Sequence, residues 1–548
     1  MKPCLVNTSQ GFSILYKEKY LYSKYNPSKA IIQKINELNI LPGTIFLCFS
    51  PVLSYGLKEL LQKIPENCLV IACEFDKELY SFSKDLDEIK KLNDEFENFV
   101  LPDLNEVYNL PIIINSRKYL FNSKKEICFD GKYKRIVSVD FSAGVQFNQG
   151  LYSELEKACV NSIKTFWTNR ITLTKFGRKY SRNLFKNLIN HAGTNPIENY
   201  FKSVNKPIIV LGAGESFAES IKYLKNPEDY FIICADTAFQ PLLKNQIVPD
   251  AVFIEEAQNV ILKAFIGTQN QKTHFFAGLS SIPQLKDFVS KDKISYFASI
   301  YSDSEFLENL QTKEFFPYAN KPFGSVGLTS VFYAIKFRQD EKVPIYLFGL
   351  DFSYSCGKTH TNGTLAHNEL LLNSNRLKSS FNFASCFSSY NVKINLLSGK
   401  QVFSSPVLIN YAKMFEGLFE GIPNLFLGTK NTFPFNLEVK NPQKEEFVKA
   451  SVKKEIKQID KNEIKKYFEE EIYSLENLKS LLIGESDLND EERMEKIESL
   501  AKKREYLFLH FADGERFKMD LSFLKRMRIE IDFFLKDFCR ITNKKLIE

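Results

Sequence analysis

Between residues 206 and 410, short apolar runs alternate with helix-like runs, and this rhythm restricts the fold more than any other feature. The apolar runs occupy 207–211, 230–235, 251–254, 274–277, 294–297 and 344–348. Strands alternating with helices in this way imply a doubly wound α/β layer, in which a mostly parallel sheet is covered by helices on both faces.

The flanking segments read differently. Residues 1–150 carry a smaller unit of the same kind: a helix-like stretch at 27–38, an apolar strand at 44–49, a turn at 50–56, a helix to about residue 61, and a second strand at 68–73 ending in Glu74-Phe75-Asp76. Strand, turn, helix, strand and acid form the layout of a nucleotide-binding βαβ unit, so an N-terminal Rossmann-like domain is expected. Its turn keeps only Gly56, and without further glycines the backbone cannot closely approach a pyrophosphate. The domain therefore reads as a scaffold with a degenerate site. Residues 151–205, with Trp167, Arg170, Phe176, Arg178, Tyr180, Arg182 and Asn187, read as a helical linker: a packing helix, or a basic wall beside the next domain's pocket. Residues 441–548 turn rich in Lys and Glu. Asp460 and Glu463 form a capping-box pattern before a helix ended by Gly484, and further helices are expected at about 491–507 and 521–538. This is a helical C-terminal domain whose charged faces are expected to be solvated. The expected boundaries are 1–150, 151–205, 206–440 and 441–548.

Composition removes several function classes. Lys+Arg 73 against Asp+Glu 66 leaves a net charge of +7, and the two signs are interleaved, so no nucleic-acid partner is expected. A hydrophobic content of 44% excludes a disordered chain. None of the 10 cysteines forms a C-x-x-C pair, so neither a zinc knuckle nor a thioredoxin-type motif is signalled, and a reducing cytoplasmic setting is expected. No secretory signal is visible at the N-terminus, and no apolar window is long enough for a membrane span.

The chemistry concentrates in the central segment. Gly212-Ala213-Gly214-Glu215-Ser216 follows a strand and opens a helix, so Gly212, Gly214 and Ser216 are expected to hold a phosphate with backbone N–H groups and a hydroxyl. Asp236 ends the next strand and Glu255-Glu256 the one after, which places these acids at the ligand crevice of an open α/β sheet. Gly324-Ser325 before a helix is a second candidate anion nest. Past the strand at 344–348 come Asp351, Lys358, His360 and Asn362, then His367. Two of the chain's five histidines thus fall in one glycine-flanked loop region, where a histidine is placed to take a proton near neutral pH.

These segments resemble the motility accessory factor (Maf) flagellin glycosyltransferases, and the central domain resembles the MptE-like 6-hydroxymethylpterin pyrophosphokinases. The matching pieces are GAGES, ICADTAF, VPDAVFIEE, GSVGLTS and, most specifically, YLFGLDFSYSCGKTHTNG. The same order resembles bacterial sialyltransferases that use CMP-sialic acid. The sequence departs from the Maf pattern at Glu215, where proline is usual, and at Glu256, where aspartate is usual. The resemblance implies a cytoplasmic transferase moving a nonulosonic acid from a CMP-activated donor to Ser or Thr of flagellin. His360 and Asp351 would be catalytic, with His360 as the base. Gly212, Gly214, Ser216, Asp236, Glu256, Gly324, Ser325, Lys358 and Asn362 would bind the donor. The CMP-sugar is a co-substrate, with no bound cofactor and no metal expected.

Two other readings stand beside it. A diphosphate-transferring pterin kinase would need ATP and Mg²⁺ held by Asp236, Asp250 and Glu256. A non-catalytic flagellin-binding factor would bind no nucleotide. A methyltransferase working through residues 44–76 is disfavoured by the depleted glycine turn.

Overall fold

The computed structural model describes residues 2–65, 67–84, 99–100, 131, 133–268, 272–379, 391–445, 459–485, 488–515 and 517–543. The chain divides into two compact units, Met1–Thr174 and Lys175–Glu548. The division falls inside a single 43-residue helix, α4 (Gln149–His191).

The first unit opens with an antiparallel meander, β1 (Cys4–Thr8), β2 (Gly11–Tyr16) and β3 (Lys19–Tyr20). Its strands are short and half-exposed, and the sequence pattern did not announce them. The expected βαβ unit follows: α1 (Lys29–Glu37), β4 (Thr44–Phe49), α2 (Leu57–Lys63), β5 (Leu69–Cys73) and α3 (Lys77–Lys84). With β6 (Phe99–Val100) and β7 (Arg135–Asp140) it forms a parallel sheet in the order β6-β5-β4-β7. Every residue of β4 and β5 is buried, as a sheet covered on both faces requires. Gly56 sits at φ +85°, a conformation glycine adopts freely, and a Cβ there would stand 3.1 Å from Ile31 on α1. The acids at the sheet's C-terminal edge are filled from within the unit. Glu74 accepts from Ser50 Oγ (2.6 Å) and Tyr152 OH (3.1 Å), and Asp76 accepts from Tyr16 OH (3.0 Å) and Lys17 Nζ (2.9 Å).

In the second unit the alternating segment forms an eight-stranded parallel sheet in the order β13-β12-β11-β10-β9-β8-β14-β17. Its strands are β8 (Ile208–Leu211), β9 (Phe231–Ala235), β10 (Ala251–Ile254), β11 (His274–Gly278), β12 (Ile294–Ser299), β13 (Ala319–Asn320), β14 (Ile345–Phe348) and β17 (Leu425–Leu427). All six expected strands are present, and β13 and β17 extend the edges. From β8 the chain steps outward strand by strand to β13, then returns to the other side of β8 as β14. The strand order reverses between β8 and β14, where open α/β sheets place their ligand crevice. Helix α8 (Val326–Phe337) packs on the sheet through Leu328, Val331, Tyr333, Ala334 and Phe337. Phe253 stacks between Phe276 and Tyr333, with ring centroids 5.0 and 5.2 Å away.

The C-terminal half of α4 belongs to this core. Buried Asn183 donates to Ala257 O and Ser280 O, and fully buried Asn187 donates to Leu279 O and Ser281 O. These bonds satisfy carbonyls of the loops that follow β10 and β11. The basic wall expected on this helix is committed elsewhere: Arg178 pairs with Glu530 and Arg182 with Asp537.

Both acids lie on α13 (Leu521–Thr542); α11 (Lys461–Ile483) packs against α13 and against α12 (Asp490–Lys502). Asp460 caps α11 by accepting from the Asn462 N–H, and Gly484 ends it in the left-handed conformation. The charges of these helices are not all solvated, contrary to expectation. Glu471, Glu530 and Asp537 are buried because arginines reach them: Arg504 Nη2 lies 2.9 Å from Glu471 Oε2, and Tyr506 OH 2.6 Å from Oε1. No helix among the described residues is long and apolar enough to cross a membrane. Eight of the ten cysteines are free thiols, and Cys128 and Cys386 lie outside the described residues.

Removing one partner of a buried ion pair strands the other charge. Arg504→Ala should therefore lower the unfolding free energy by about 3–5 kcal/mol, read by urea titration. A loss below about 1 kcal/mol, the range of an exposed pair, would contradict a buried role for Glu471.

Candidate functional site

The site grows from the close approach of two turns at the point where strand order reverses. Gly212 directly follows β8 and Gly349 directly follows β14. A Cβ on Gly212 would stand 2.3 Å from Gly349 O, and one on Gly349 would stand 2.2 Å from Gly212 O. Gly349 also sits at φ +68°. Both positions require glycine, so that two backbones can meet.

Hydrogen bonds then lock the turns together. Gly212 N–H donates to Phe348 O (2.8 Å), Gly214 N–H to Gly349 O (2.8 Å), and Ser216 N–H to Asp351 Oδ2 (2.8 Å). Ser216 Oγ donates to Asp351 Oδ1 and accepts from the Gly349 N–H at 2.8 Å. The N–H groups and the hydroxyl expected to meet a phosphate are thus engaged by the second turn. The helix that follows is a single turn, α5 (Phe217–Ser220), with no side-chain cap from Ser216. Asp351 lies beneath the turn, 4% exposed, and a Cβ on Gly214 would stand 2.4 Å from its Oδ2. Burial pushes its carboxyl up to about 7, against the two Ser216 bonds that pull it down.

The loop after Asp351 is anchored to the same turn at both ends. Ser355 N–H donates to Glu215 Oε1 at 2.7 Å, and Thr361 N–H donates to Ala213 O at 2.8 Å. Between these anchors residues 355–361 form an arch carrying Lys358 and His360. Lys358 N–H turns back onto Ser355 O, and His360 Nδ1 lies 3.1 Å from Thr359 Oγ1. Burial, then the neighbouring His367, holds His360 below its ordinary range. His367 stands in the first turn of α9 (Leu365–Leu372), capped by Thr364. Burial and then Lys358 lower its pKa too. His367 thus acts electrostatically on His360, and Lys358 on His367. Asn362 is exposed just past the arch.

Carboxylates collect at the ends of β9 and β10. Asp236 opens α6 (Asp236–Lys244), is 3% exposed, and accepts from the N–H (2.6 Å) and Oγ1 (3.0 Å) of Thr237. Burial raises it to about 7, with Glu256 and Glu255 adding to the rise. Glu255 accepts from Ser299 Oγ (2.8 Å) and Thr329 Oγ1 (2.5 Å), and burial raises it despite both bonds. Glu256 accepts from the Gln258 N–H at 2.8 Å. Thr329 lies one helical turn into α8, and Ser325 stands at that helix's N-cap without capping it. Gly324, at φ +70°, brings the backbone against Tyr411, whose Cε1 would lie 2.8 Å from a Cβ. Tyr180 feels both glutamates: burial, then Glu256, Tyr411 and Glu255, raise its hydroxyl pKa.

The structure thus gathers Gly212, Gly214, Ser216, Asp351, Lys358 and His360 through the paired turns, and Asp236 and Glu256 at the neighbouring strand ends. Asp250 is not among them. It precedes β10, accepts from the Ile232 N–H at 2.8 Å, and sits at the opposite edge of the sheet from Glu256. Among the described residues, no three His, Cys, Asp or Glu side chains form a metal-holding group. The roles of Glu215 and Thr329 had no sequence signal, because their partners lie 140 and 74 residues away.

Comparisons with known proteins agree with this geometry. Residues 179–357 match the family model described as 6-hydroxymethylpterin diphosphokinase MptE-like, which spans the crevice from α4 to the arch. Across 99% of its length the chain has the fold of the Maf glycosyltransferase from Magnetospirillum magneticum AMB-1, with a TM-score of 0.53, 14% identity and 92% of that chain covered. It is also 29% identical to an uncharacterized protein of Treponema pallidum (strain Nichols), over 99% of this chain and 96% of that one.

A carboxyl whose folded pKa is raised stabilises the fold fully below its unfolded pKa, and this contribution is lost as pH rises through the folded value. For Asp236 and Asp351 the window runs from about 3.8 to about 7. Asp236→Asn keeps an oxygen for both Thr237 donors. It should make the pH dependence of unfolding free energy shallower by about one proton across this window, measured by urea titration at pH 4.5 to 7. Equal slopes in variant and wild type would refute a raised Asp236.

Proposed function

We propose that this chain is a glycosyltransferase that moves a nonulosonic acid from a CMP-activated donor to a Ser or Thr hydroxyl of flagellin. The observation that carries the reading is the fold likeness to the Maf glycosyltransferase over nearly the whole chain, with the histidine-bearing arch at the sheet's reversal point.

In this reading His360 takes the acceptor proton. Its lowered pKa keeps the imidazole neutral at pH 7, the form that accepts a proton. In the tautomer whose Nδ1–H donates to Thr359 Oγ1, Nε2 is the accepting nitrogen. The acceptor oxygen bonds to the anomeric carbon, the bond from that carbon to the phosphate oxygen breaks, and CMP departs with the electron pair. Lys358 supplies the positive charge for the donor phosphate and the sugar carboxylate. Asp236, Glu255 and Glu256 suit the neutral hydroxyls, which sets the donor's direction in the crevice. Asp351 and Ser216 support the turn that anchors the arch, and Ser325 and Gly324 offer an open helix N-terminus to the donor or acceptor.

The match to the MptE-like model favours a second reading, diphosphate transfer from ATP with Mg²⁺. Its carboxylate set shrinks to Asp236 and Glu256, since Asp250 lies on the far edge.

Thermal-shift titration with CMP, CTP and ATP, each with and without Mg²⁺, separates these readings, because ligands of the native state raise its apparent stability. Stabilisation by CMP without metal is expected. Response to ATP only with Mg²⁺ would favour the kinase, and response to none would favour a flagellin-binding factor. With a CMP-nonulosonate and flagellin, His360→Ala should lose about 10²–10⁴-fold in transfer rate, read by intact mass. An unchanged rate would end the assignment of His360 as base.

A further inference from the structure

We propose that Glu215 is a positioning residue whose carboxylate sets the arch that carries His360 and Lys358. The proposal rests on the reading of His360 as the base only for its catalytic consequence. The arrangement itself is independent of it.

Three chain segments meet at this carboxylate. Oε1 accepts the Ser355 N–H at 2.7 Å, Oε2 lies 3.5 Å from Lys400 Nζ, and the same ammonium donates to Ser355 Oγ at 3.0 Å. Lys400 belongs to the tight turn between β15 (Val392–Asn395) and β16 (Gln401–Ser404). This hairpin also holds the base of the arch, because Tyr354 and Phe403 exchange backbone hydrogen bonds of 2.8 and 2.9 Å.

Besides this hairpin pairing at Tyr354, the arch meets the turn 212–216 at two points. One is a backbone bond, Thr361 N–H to Ala213 O, which no substitution of a side chain removes. The other is the Glu215 side chain. Between these points the chain is permissive: Gly357 sits at φ +72°, and Cys356 at the crown is exposed. Without the Glu215 contact, the glycine-containing segment between the Tyr354 pairing and the Thr361 bond can shift. With the Glu215 contact in place, that segment holds His360 beside His367 and partly buried. Glu215 is itself 23% exposed on its side chain, so its contribution to the core is small and its effect on the arch can be observed separately.

The charge on Glu215 matters less than its reach. The pair with Lys400 is long and half-exposed, a geometry that contributes little in water. The bond to Ser355 N–H is short, and an amide oxygen can replace the carboxylate in it. Glu215→Gln should therefore retain the arch, Glu215→Ala should release it, and Glu215→Asp, shorter by about 1.5 Å, should release it while keeping the charge.

The chain's five histidines make this measurable without substrate. Imidazole NMR on histidine-labelled protein resolves His360 by comparison with His360→Ala. The groups facing His360 are His367, with Lys358 beside it, and burial is the main cause of its lowered pKa. In Glu215→Ala and Glu215→Asp, His360 should shift and titrate closer to its ordinary 6.5, while the buried His191 and His274 keep their signals. In Glu215→Gln it should follow wild type. If Glu215→Ala does not fold, Glu215→Asp carries the test alone. A His360 signal and titration unchanged in Glu215→Asp would overturn the proposal, as would equal changes in Glu215→Gln and Glu215→Ala. For transfer, the release variants should lose at least 10-fold in kcat with KM for the donor changed less, and Gln should restore the rate. Release of His360 in a protein whose wild type transfers no sugar would support the arch and refute the glycosyltransferase reading, so the two fail separately.

Discussion

Two glycine backbones in contact, Gly212 against Gly349, set the conditions for everything around the crevice. Strands β8 and β14 are neighbours in the sheet but 133 residues apart at Ser216 and Gly349, and their turns meet without an intervening side chain. Contact at that distance leaves the N–H groups of the first turn facing carbonyls of the second rather than open space. Ser216 and Asp351 then bond beneath the junction, and the carbonyl of Ala213 and the side chain of Glu215 become the outward-facing features. A glycine-rich turn that looks like a phosphate cradle thus works here as a joint between two loops.

That exchange of roles explains what the sequence revealed and what it concealed. The parallel sheet was legible because each strand is a short apolar run buried on both faces, and six runs fell within a residue or two of their expected ends. The C-terminal helices were legible through the Asp460 cap, the Gly484 stop and 3.6-residue periodicity. Hidden were contacts between distant positions. Nothing local marks Asn187 as the donor to Leu279 and Ser281, or Arg182 as the partner of Asp537. The meander β1-β2-β3 was missed because its strands are short and half-exposed, and β13 and β17 because each has only two or three residues.

At the site, residue types predicted location better than function. Asp236, Glu256, Lys358 and His360 were found from their places after strands, which the topology alone sends to the same edge of the sheet. Asp250, one residue before a strand, went to the other edge by the same rule. Whether a group is open to a ligand depends on what packs over it, and only the three-dimensional arrangement shows that Asp351 is covered by the turn while the helix beginning at Val326 is not capped by Ser325.

The arginine pairs between α4 and α13 have a consequence for how such a chain can change over evolutionary time. Arg178 and Arg182 end on Glu530 and Asp537, and Phe185 packs edge-on against Tyr506, Phe534 and Phe538. A lineage could not trade its last hundred residues for another helical cassette without losing those pairs and uncovering that aromatic. Diversification of the C-terminal helices is therefore confined to their outer faces, where Tyr473, Leu521 and Ile529 already stand exposed.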